Sequence, residues 1–382
     1  MNSPLRQTIS VDDIKAALLD RIEQVVTVYT PAADGSYRDG HLYYTLNPRR
    51  FDKSVGSFIV NMSGPMAGQW HDFAGDAHGD LIDLMGLQLG LSSRDAFAEA
   101  RLFLGLSNES PEDKRKREAR AKDMERRRKA EAEAQKAEAE RKRLSAQALW
   151  LSAQEKIAGT PVAAYLAGRG IDLGVLGYQP RAIRFHPECF YRFKGTDPET
   201  GEVLDIATKL PAMVTAISRG SLHLATHRTY LARRADGSWD KADLPGAQKK
   251  VLGNYKGGSI RLSNGLGPKG GRGCPLSACP PGTRVYVTEG IESGLSVCRA
   301  LPSARVLACV GLSNLGGMEL PDNVAELVIV GDADESPDAR EALQRGIAAQ
   351  ARRRVVRLWQ SATPGVDAND ELRRRLAMEG AE

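Results

Sequence analysis

Residues 109–143 cannot belong to a hydrophobic core, and this divides the chain. The stretch EDKRKREARAKDMERRRKAEAEAQKAEAERKR consists almost wholly of Lys, Arg, Glu, Ala and Gln. These are strong helix formers, and no Gly or Pro follows Pro111 within it, so the sequence predicts one unbroken helix. From Asp113 to Arg143 there are 14 Lys and Arg against 8 Asp and Glu, a balance of +6. The whole 382-residue chain carries +5, so this segment holds the entire basic excess. Apolar residues at heptad a and d positions are missing, which argues against a coiled coil. Two uses remain: a solvated spacer laced with i,i+4 charge pairs, or an arm that follows phosphates without reading bases. The helix is expected to continue through LSAQALWLSAQEKIAG, with Leu144, Leu149, Trp150 and Ile157 as its apolar face, and to stop near Gly159.

A chain of this length can bury two or three domains. Composition sets off residues 1–106 (a small N-terminal domain) and 107–158 (the charged helical linker) from the globular remainder, in which an α+β segment at 159–282 and an α/β domain at 283–382 are expected. Five cysteines without paired spacing suit a reducing compartment. The N-terminus, MNSPLRQTISVDDIKAALLDRI, lacks the unbroken apolar core of a signal peptide. No apolar run approaches the roughly 20 residues needed to span a bilayer. A cytoplasmic protein without a membrane partner is expected. The chain has no G-x-x-x-x-G-K-S/T phosphate loop, so no motor is expected on it.

The chemistry concentrates in the last block. RVYVTEG, residues 284–290, reads as a buried strand ending in an acid and a glycine, and IESGLSVCRALP continues as a helix. ARVLACVG is a second strand. ELVIVGDADESPDAREALQRGIAAQARRR is a strand, an acidic turn and a helix, and VVRLWQ leads into TPGVDANDELRRRL. This alternation predicts a small, largely parallel sheet covered by helices. Acidic groups then fall at strand ends, where open α/β sheets bind ligands: Glu289, Asp332 with Asp334, and Asp367 with Asp370. In extended chain, residues two apart point the same way, so Asp332 and Asp334 can face one site. Clustered carboxylates of this kind suit Mg²⁺ or Mn²⁺, ions that clamp the oxygens of a phosphoryl transfer.

The order strand–EG–helix, strand–DxD–helix resembles the Toprim domain of primases, topoisomerases and related nucleases over roughly residues 283–372. The resemblance implies that Glu289 is the acid/base and metal-proximal glutamate, and that Asp332 and Asp334 hold the metal. The closing DANDEL looks like the acidic motif ending primase-type Toprim domains, which adds Asp367 and Asp370 as metal candidates. One departure is GDADESPDA, where many relatives place a glycine soon after the DxD turn. Upstream, TPVAAYLAGRGIDLGVLGYQP resembles the start of the bacterial-type primase core through Tyr165, Leu166, Arg169, Gly170, Ile171, Gly177 and Tyr178. A hairpin over LPAMVTAISRGSLHLATHRTYL, with Arg228 near its end, and the stretch AQKKVLGNYKGGSIRL are similar to that family too. The resemblance implies that Arg169, Arg228, Lys249, Lys250 and Asn254 face the template and the incoming nucleotide. The glycine-rich GGSIRLSNGLGPKGGRG reads as a flexible or hairpin-rich loop.

Near the N-terminus, HGDLIDLM resembles the tail of the zinc-ribbon domain of primases, with Gly79, Asp80, Ile82 and Asp83 in the matching places. The zinc ligands are missing: no Cys precedes Cys189, and His71 with His78 cannot complete a tetrahedral site. A zinc-ribbon-like domain without structural zinc is expected. Trp70, Phe73, Tyr43 and Tyr44 would either stack on single-stranded bases or pack a core. Taken together, the resemblance implies a DNA primase-like nucleotidyltransferase that makes short primers from nucleoside triphosphates on single-stranded DNA. The setting it implies is replication of a phage, plasmid or other mobile element, with a separate replicative helicase as partner. The alternatives are a non-catalytic DNA-binding replication accessory protein and a Toprim nuclease.

Overall fold

The computed structural model describes residues 10–30, 35–50, 52, 55–106, 111–196, 203–267, 271–333 and 336–379. The chain divides into two compact units, residues 1–128 and 129–382.

The first unit opens with two helices, α1 (Val11–Leu19) and α2 (Ile22–Tyr29). A capping box starts α1: Asp13 N donates to Ser10 Oγ, and Ser10 N donates to Asp13 Oδ2. Five short strands follow, β1 (Tyr37–Asp39), β2 (Leu42–Thr45), β3 (Phe58–Asn61), β4 (Trp70–Asp72) and β5 (Ala77–Gly79), paired antiparallel in sequence order. Helices α3 (Leu81–Leu89) and α4 (Ser93–Phe103) complete the unit. Phe58, Val60 and Trp70 alternate onto the buried face and pack with Ile14, Leu18, Leu84 and Met85. The HGDLIDLM motif gains a local reason here. Asp80 caps α3 by accepting from Ile82 N and Asp83 N, while Asp83 accepts from Asp80 N. Trp70 is buried, stacks on Phe58 and donates its Nε1–H to Asp80 O, so its ring belongs to the core, as does most of Tyr43. Tyr44 instead stacks on Tyr37 at 4.8 Å, and Phe73 is exposed beside His71.

The charged segment forms α5 (Pro111–Ser152), 42 residues long. Pairs such as Arg127 with Asp123 and Lys142 with Glu138 sit one turn apart in solvent, and each contributes only a few tenths of a kcal/mol. The helix ends at Ser152, not near Gly159. Just beyond it, Gln154 exchanges backbone hydrogen bonds with Phe185 at 2.8 and 3.0 Å, so the chain has turned extended there.

The second unit continues with α6 (Pro161–Gly168) and α7 (Leu173–Leu176). The strands β6 (Ile183–Thr196), β7 (Val203–Arg219), β8 (Leu222–Arg233), β9 (Trp239–Lys241) and β10 (Lys249–Gly253) build an antiparallel sheet in the order β10-β8-β7-β6, with β9 on β8. A second sheet takes β11 (Ile260–Asn264), β12 (Thr283–Thr288), β13 (Arg305–Ala308), β14 (Val324–Val330) and β15 (Val355–Trp359) in the order β11-β13-β12-β14-β15. Its helices are α8 (Ile291–Ala300), α9 (Leu312–Leu315), α10 (Pro337–Ala351) and α11 (Ala368–Glu379). Every pairing is parallel except β11 with β13, as the alternating pattern predicts. The loop expected over GGSIRLSNGLGPKGGRG is in part β11, because Ile260 and Leu262 are buried and the strand covers the edge of β13.

Apolar packing joins the two sheets. Phe185, Met213 and Leu231 of the antiparallel sheet share one cluster with Tyr165, Leu166, Leu262, Ile291 and Leu295. Its opposite face puts Tyr191, Ala212 and Tyr230 against Leu149 and Trp150 of α5. Val285, Val287, Leu327 and Ile329 pack the far side of the parallel sheet onto Leu315 and Leu343. No helix is long and apolar enough to cross a membrane among the described residues.

Gly294 lets α8 lie this close to the sheet, since a Cβ there would fall 2.3 Å from Leu262 Cδ1 and 2.8 Å from Thr288 Oγ1. At an exposed helical position Gly→Ala gains about 1 kcal/mol. Here Gly294→Ala is expected to destabilise by about 1–3 kcal/mol through overpacking. Urea unfolding of the full chain checks the sign; a raised midpoint would contradict the packing.

Candidate active site

β12 and β14 are neighbouring parallel strands with Thr288 opposite Val330. Their carboxyl ends therefore stop level at one edge of the sheet. Glu289 follows β12 directly, and Asp332 comes two residues after β14. Both line a small cavity of about 20 Å³ together with Leu312, Ala339, Arg340, Leu343 and Gln360. The turn carrying Asp332 is tied down by its backbone. Gly331 N donates to Trp359 O, Gln360 Nε2 donates to Asp332 O at 2.8 Å, and Gly365 N donates to Ala333 O at 2.7 Å. Asp334 lies outside the described residues. Asp367 caps α11, its Oδ1 accepting from Asp370 N at 2.8 Å, and Asp370 sits in the first turn of that helix. Ser293 Oγ stands 3.5 Å from Asp367 Oδ2. Among the described residues no three His, Cys, Asp or Glu side chains converge as a ligand group. The structure thus brings Glu289 and Asp332 together and gives Asp367 a capping contact. Two carboxylates are a donor set that Mg²⁺ accepts when phosphate and water complete its shell.

The basic residues separate in a way their sequence order conceals. Lys249 and Lys250 are consecutive on β10, so their side chains leave opposite faces of the sheet. Lys250 lies opposite Arg228 of β8, packs over the Tyr191 ring at 4.0 Å and donates to Arg192 O. Arg228 stands over the Tyr230 ring at 5.9 Å. Lys249 turns the other way and reaches Glu292 Oε2 at 3.3 Å. Arg169, just after α6, lies over the Tyr165 ring and pairs with Asp240 at 3.4 Å. Asn254 accepts from Lys256 N in a local turn. Arg169 and Lys249 therefore belong to one neighbourhood, and Arg228 with Lys250 to another.

The structure adds residues that the sequence reading passed over. Glu292, in the first turn of α8, is 6% exposed. It accepts from Tyr165 Oη at 2.6 Å and meets the Lys249 and Lys241 ammonium groups at 3.3 and 3.5 Å. Burial opposes its ionisation, but Lys249, Lys241 and the tyrosine hydroxyl together hold its pKa at about 2. The only hint in the sequence is one carboxylate inside the apolar stretch IESGLSVCRAL. His227, on the same face of β8 as Thr229, which lies opposite Lys249, is buried. Burial first, and then Lys249, push its pKa down to about 4.

His227 gives the site a pH signature. Its native value lies below the unfolded value of 6.5, so the unfolded chain binds a proton first as pH falls. Stability should drop between about pH 6.5 and 4, by no more than about 3 kcal/mol from this group. Urea midpoints measured from pH 7 to 4.5 should fall less in His227→Gln than in wild type; parallel curves would refute this.

Comparison with known proteins follows the same division of the second unit. Residues 140–262 match a domain of unknown function (DUF7146), and residues 284–378 match the Toprim domain. No curated protein matches the chain. Among solved structures, the zinc-binding and RNA polymerase domains of the Aquifex aeolicus primase share 14% identity at a TM-score of 0.37, covering 97% of this chain and 83% of that one. A DNA primase domain from Pseudomonas aeruginosa gives 12% and 0.38, covering 63% of this chain and 77% of that one. The primase fragment of the bacteriophage T7 primase-helicase gives 15% and 0.31, covering 58% and 74%. The family match and the parallel sheet with Glu289 and Asp332 at its carboxyl edge agree on residues 284–378, and this part of the chain is a Toprim domain.

Proposed function

We propose that this protein is a primase-type nucleotidyltransferase that makes short primers from nucleoside triphosphates on single-stranded DNA, for replication of a mobile element. The observation that carries the reading is the meeting of Glu289 and Asp332 at adjacent strand ends of a Toprim domain, with the cations Lys249, Lys241 and Arg169 in the same unit. The primase-core-like order of Tyr165, Arg169, Gly170 and Lys249 ahead of that domain supports it further.

In this reading Glu289 and Asp332 would hold Mg²⁺ or Mn²⁺, with Asp334, outside the described residues, as a further candidate ligand. The bound ion would neutralise charge developing on the transferred phosphoryl oxygens. Glu289 accepts the proton of the attacking hydroxyl, a task within reach of a carboxylate at the lip of the site. Lys249, Lys241 and Arg169 bind the triphosphate, each cation cancelling part of its charge in a partly desolvated setting. Arg228 and Lys250, on the other face, track the template backbone without reading sequence. The opened template strand comes from a separate helicase.

Labelled-nucleotide incorporation on single-stranded DNA with Mg²⁺ or Mn²⁺ tests the reading. Wild type should yield short products, and Glu289→Gln or Asp332→Asn should lower the rate at least about 100-fold, the scale of losing a positioned acid–base or charge-stabilising group. Unchanged synthesis in both variants would dismiss the assignment. No synthesis by wild type, with DNA binding intact, would identify an accessory protein.

A further inference from the structure

We infer that Glu292 is a positioning residue, a buried carboxylate that gathers the Lys241 and Lys249 ammonium groups and holds them where the substrate's phosphates bind. The inference deepens the reading of this site as a triphosphate site and rests on it.

The geometry is specific. A carboxylate as buried as Glu292 costs several kcal/mol unless its oxygens are matched by donors. Three donors from three elements match them: Tyr165 of α6, Lys241 at the end of β9 and Lys249 at the start of β10. Tyr165 is itself buried, so its 2.6 Å hydrogen bond fixes the carboxylate against the body of the unit. Each lysine is also half-exposed, with side-chain accessibilities of 22% for Lys241 and 39% for Lys249. An ammonium carries three N–H donors, so each lysine can hold Glu292 with one and offer another to a ligand. Glu292 sits three residues after Glu289, in the first turn of α8, so the junction of β12 with α8 sets both the acidic edge and the anchor of the lysines.

The electrostatics explain why a carboxylate is needed there. The groups that face Glu292 are Lys241 at the end of β9, Lys249 from β10, His227 from β8, Tyr165 from α6 and Arg169 just after it, with Asp240 next to Lys241. Asp240 is already engaged by Arg169 and Arg234. Burial lowers the pKa of Lys241, and Lys249 and Arg169 lower it further; Glu292 is the group that opposes them. Without its charge, the Lys241 proton would leave at a lower pH, and a neutral amine cannot balance a phosphate.

The experiment measures binding of a fluorescent nucleoside triphosphate in Ca²⁺ at pH 7.5 and 9, where the triphosphate itself is fully ionised, alongside primer synthesis by wild type. Wild-type Kd should change less than twofold over this range. In Glu292→Gln it should weaken at least fivefold more than wild type does. Glu292→Gln combined with Lys241→Arg, whose guanidinium keeps its proton, should restore the flat profile. A carboxylate that only pinned α8 to the sheet would alter the melting temperature and leave the pH profile flat. If Glu292→Gln does not fold, Glu292→Asp should show an intermediate steepening, and a wild-type profile in it would overturn the inference. Primer synthesis by wild type with a flat Glu292→Gln profile would defeat the inference and leave the proposed function standing. A steepened profile in a protein that makes no primers would defeat the function and leave the anion site. No triphosphate binding by wild type would overturn the inference.

Discussion

The parallel pairing of β12 with β14 is the constraint on which the rest of the second unit depends. Its register, Thr288 opposite Val330, brings two chain exits level at one sheet edge. Everything that follows at those exits is placed by that pairing: Glu289 and Asp332 at the lip, α8 leaving from one strand and α10 from the other. The strands are held there by burial on both faces, Val285 and Val287 toward one cluster and Tyr286 toward the other. Such a sheet needs helices on each side, and Gly294 allows α8 to come close enough to provide one.

A second constraint is the two-residue period of the antiparallel sheet. It sends neighbouring cations in opposite directions, so Lys249 joins Glu292 while Lys250 joins the aromatic face of Tyr191 and Tyr230. The basic residues of this unit therefore form two groups with different neighbours. One surrounds a buried carboxylate close to the acidic edge. The other lies over aromatic rings on the face that also receives Trp150 from α5. The second group is held by its attraction to ring faces, the first by ion pairs to a buried carboxylate.

Glu292 links these two constraints, since it is set by the helix that leaves β12 and engaged by strands of the other sheet. Its removal from water is compensated only because α6, β9 and β10 all deliver donors to one point. The same enclosure leaves His227 neutral across the physiological range. The polar interior of the unit is thus built by convergence of elements far apart in sequence, Tyr165 and Glu292 being 127 residues apart.

Much of the fold was legible in the sequence. The charged run could only be a solvated helix, the alternation after residue 283 could only be a largely parallel sheet, and the acid after β12 had to fall at the carboxyl edge of that sheet, because local composition and periodicity decide these features. Asp80 and Asp83 were visible as a motif, and the capping box gives that motif its physical cause. Other features were decided by tertiary contacts. The end of α5 was set by backbone bonds to Phe185, and β11 emerged from a glycine-rich stretch because β13 had an edge to cover. Asp367, a metal candidate in the sequence, also caps α11, a role that only the helix start reveals. Above all, Lys249 and Lys250 were indistinguishable as neighbours in a string, and Glu292 was one acid among many. Which lysine meets which carboxylate depends on strand pairing and on burial, and both arise only when distant segments pack together.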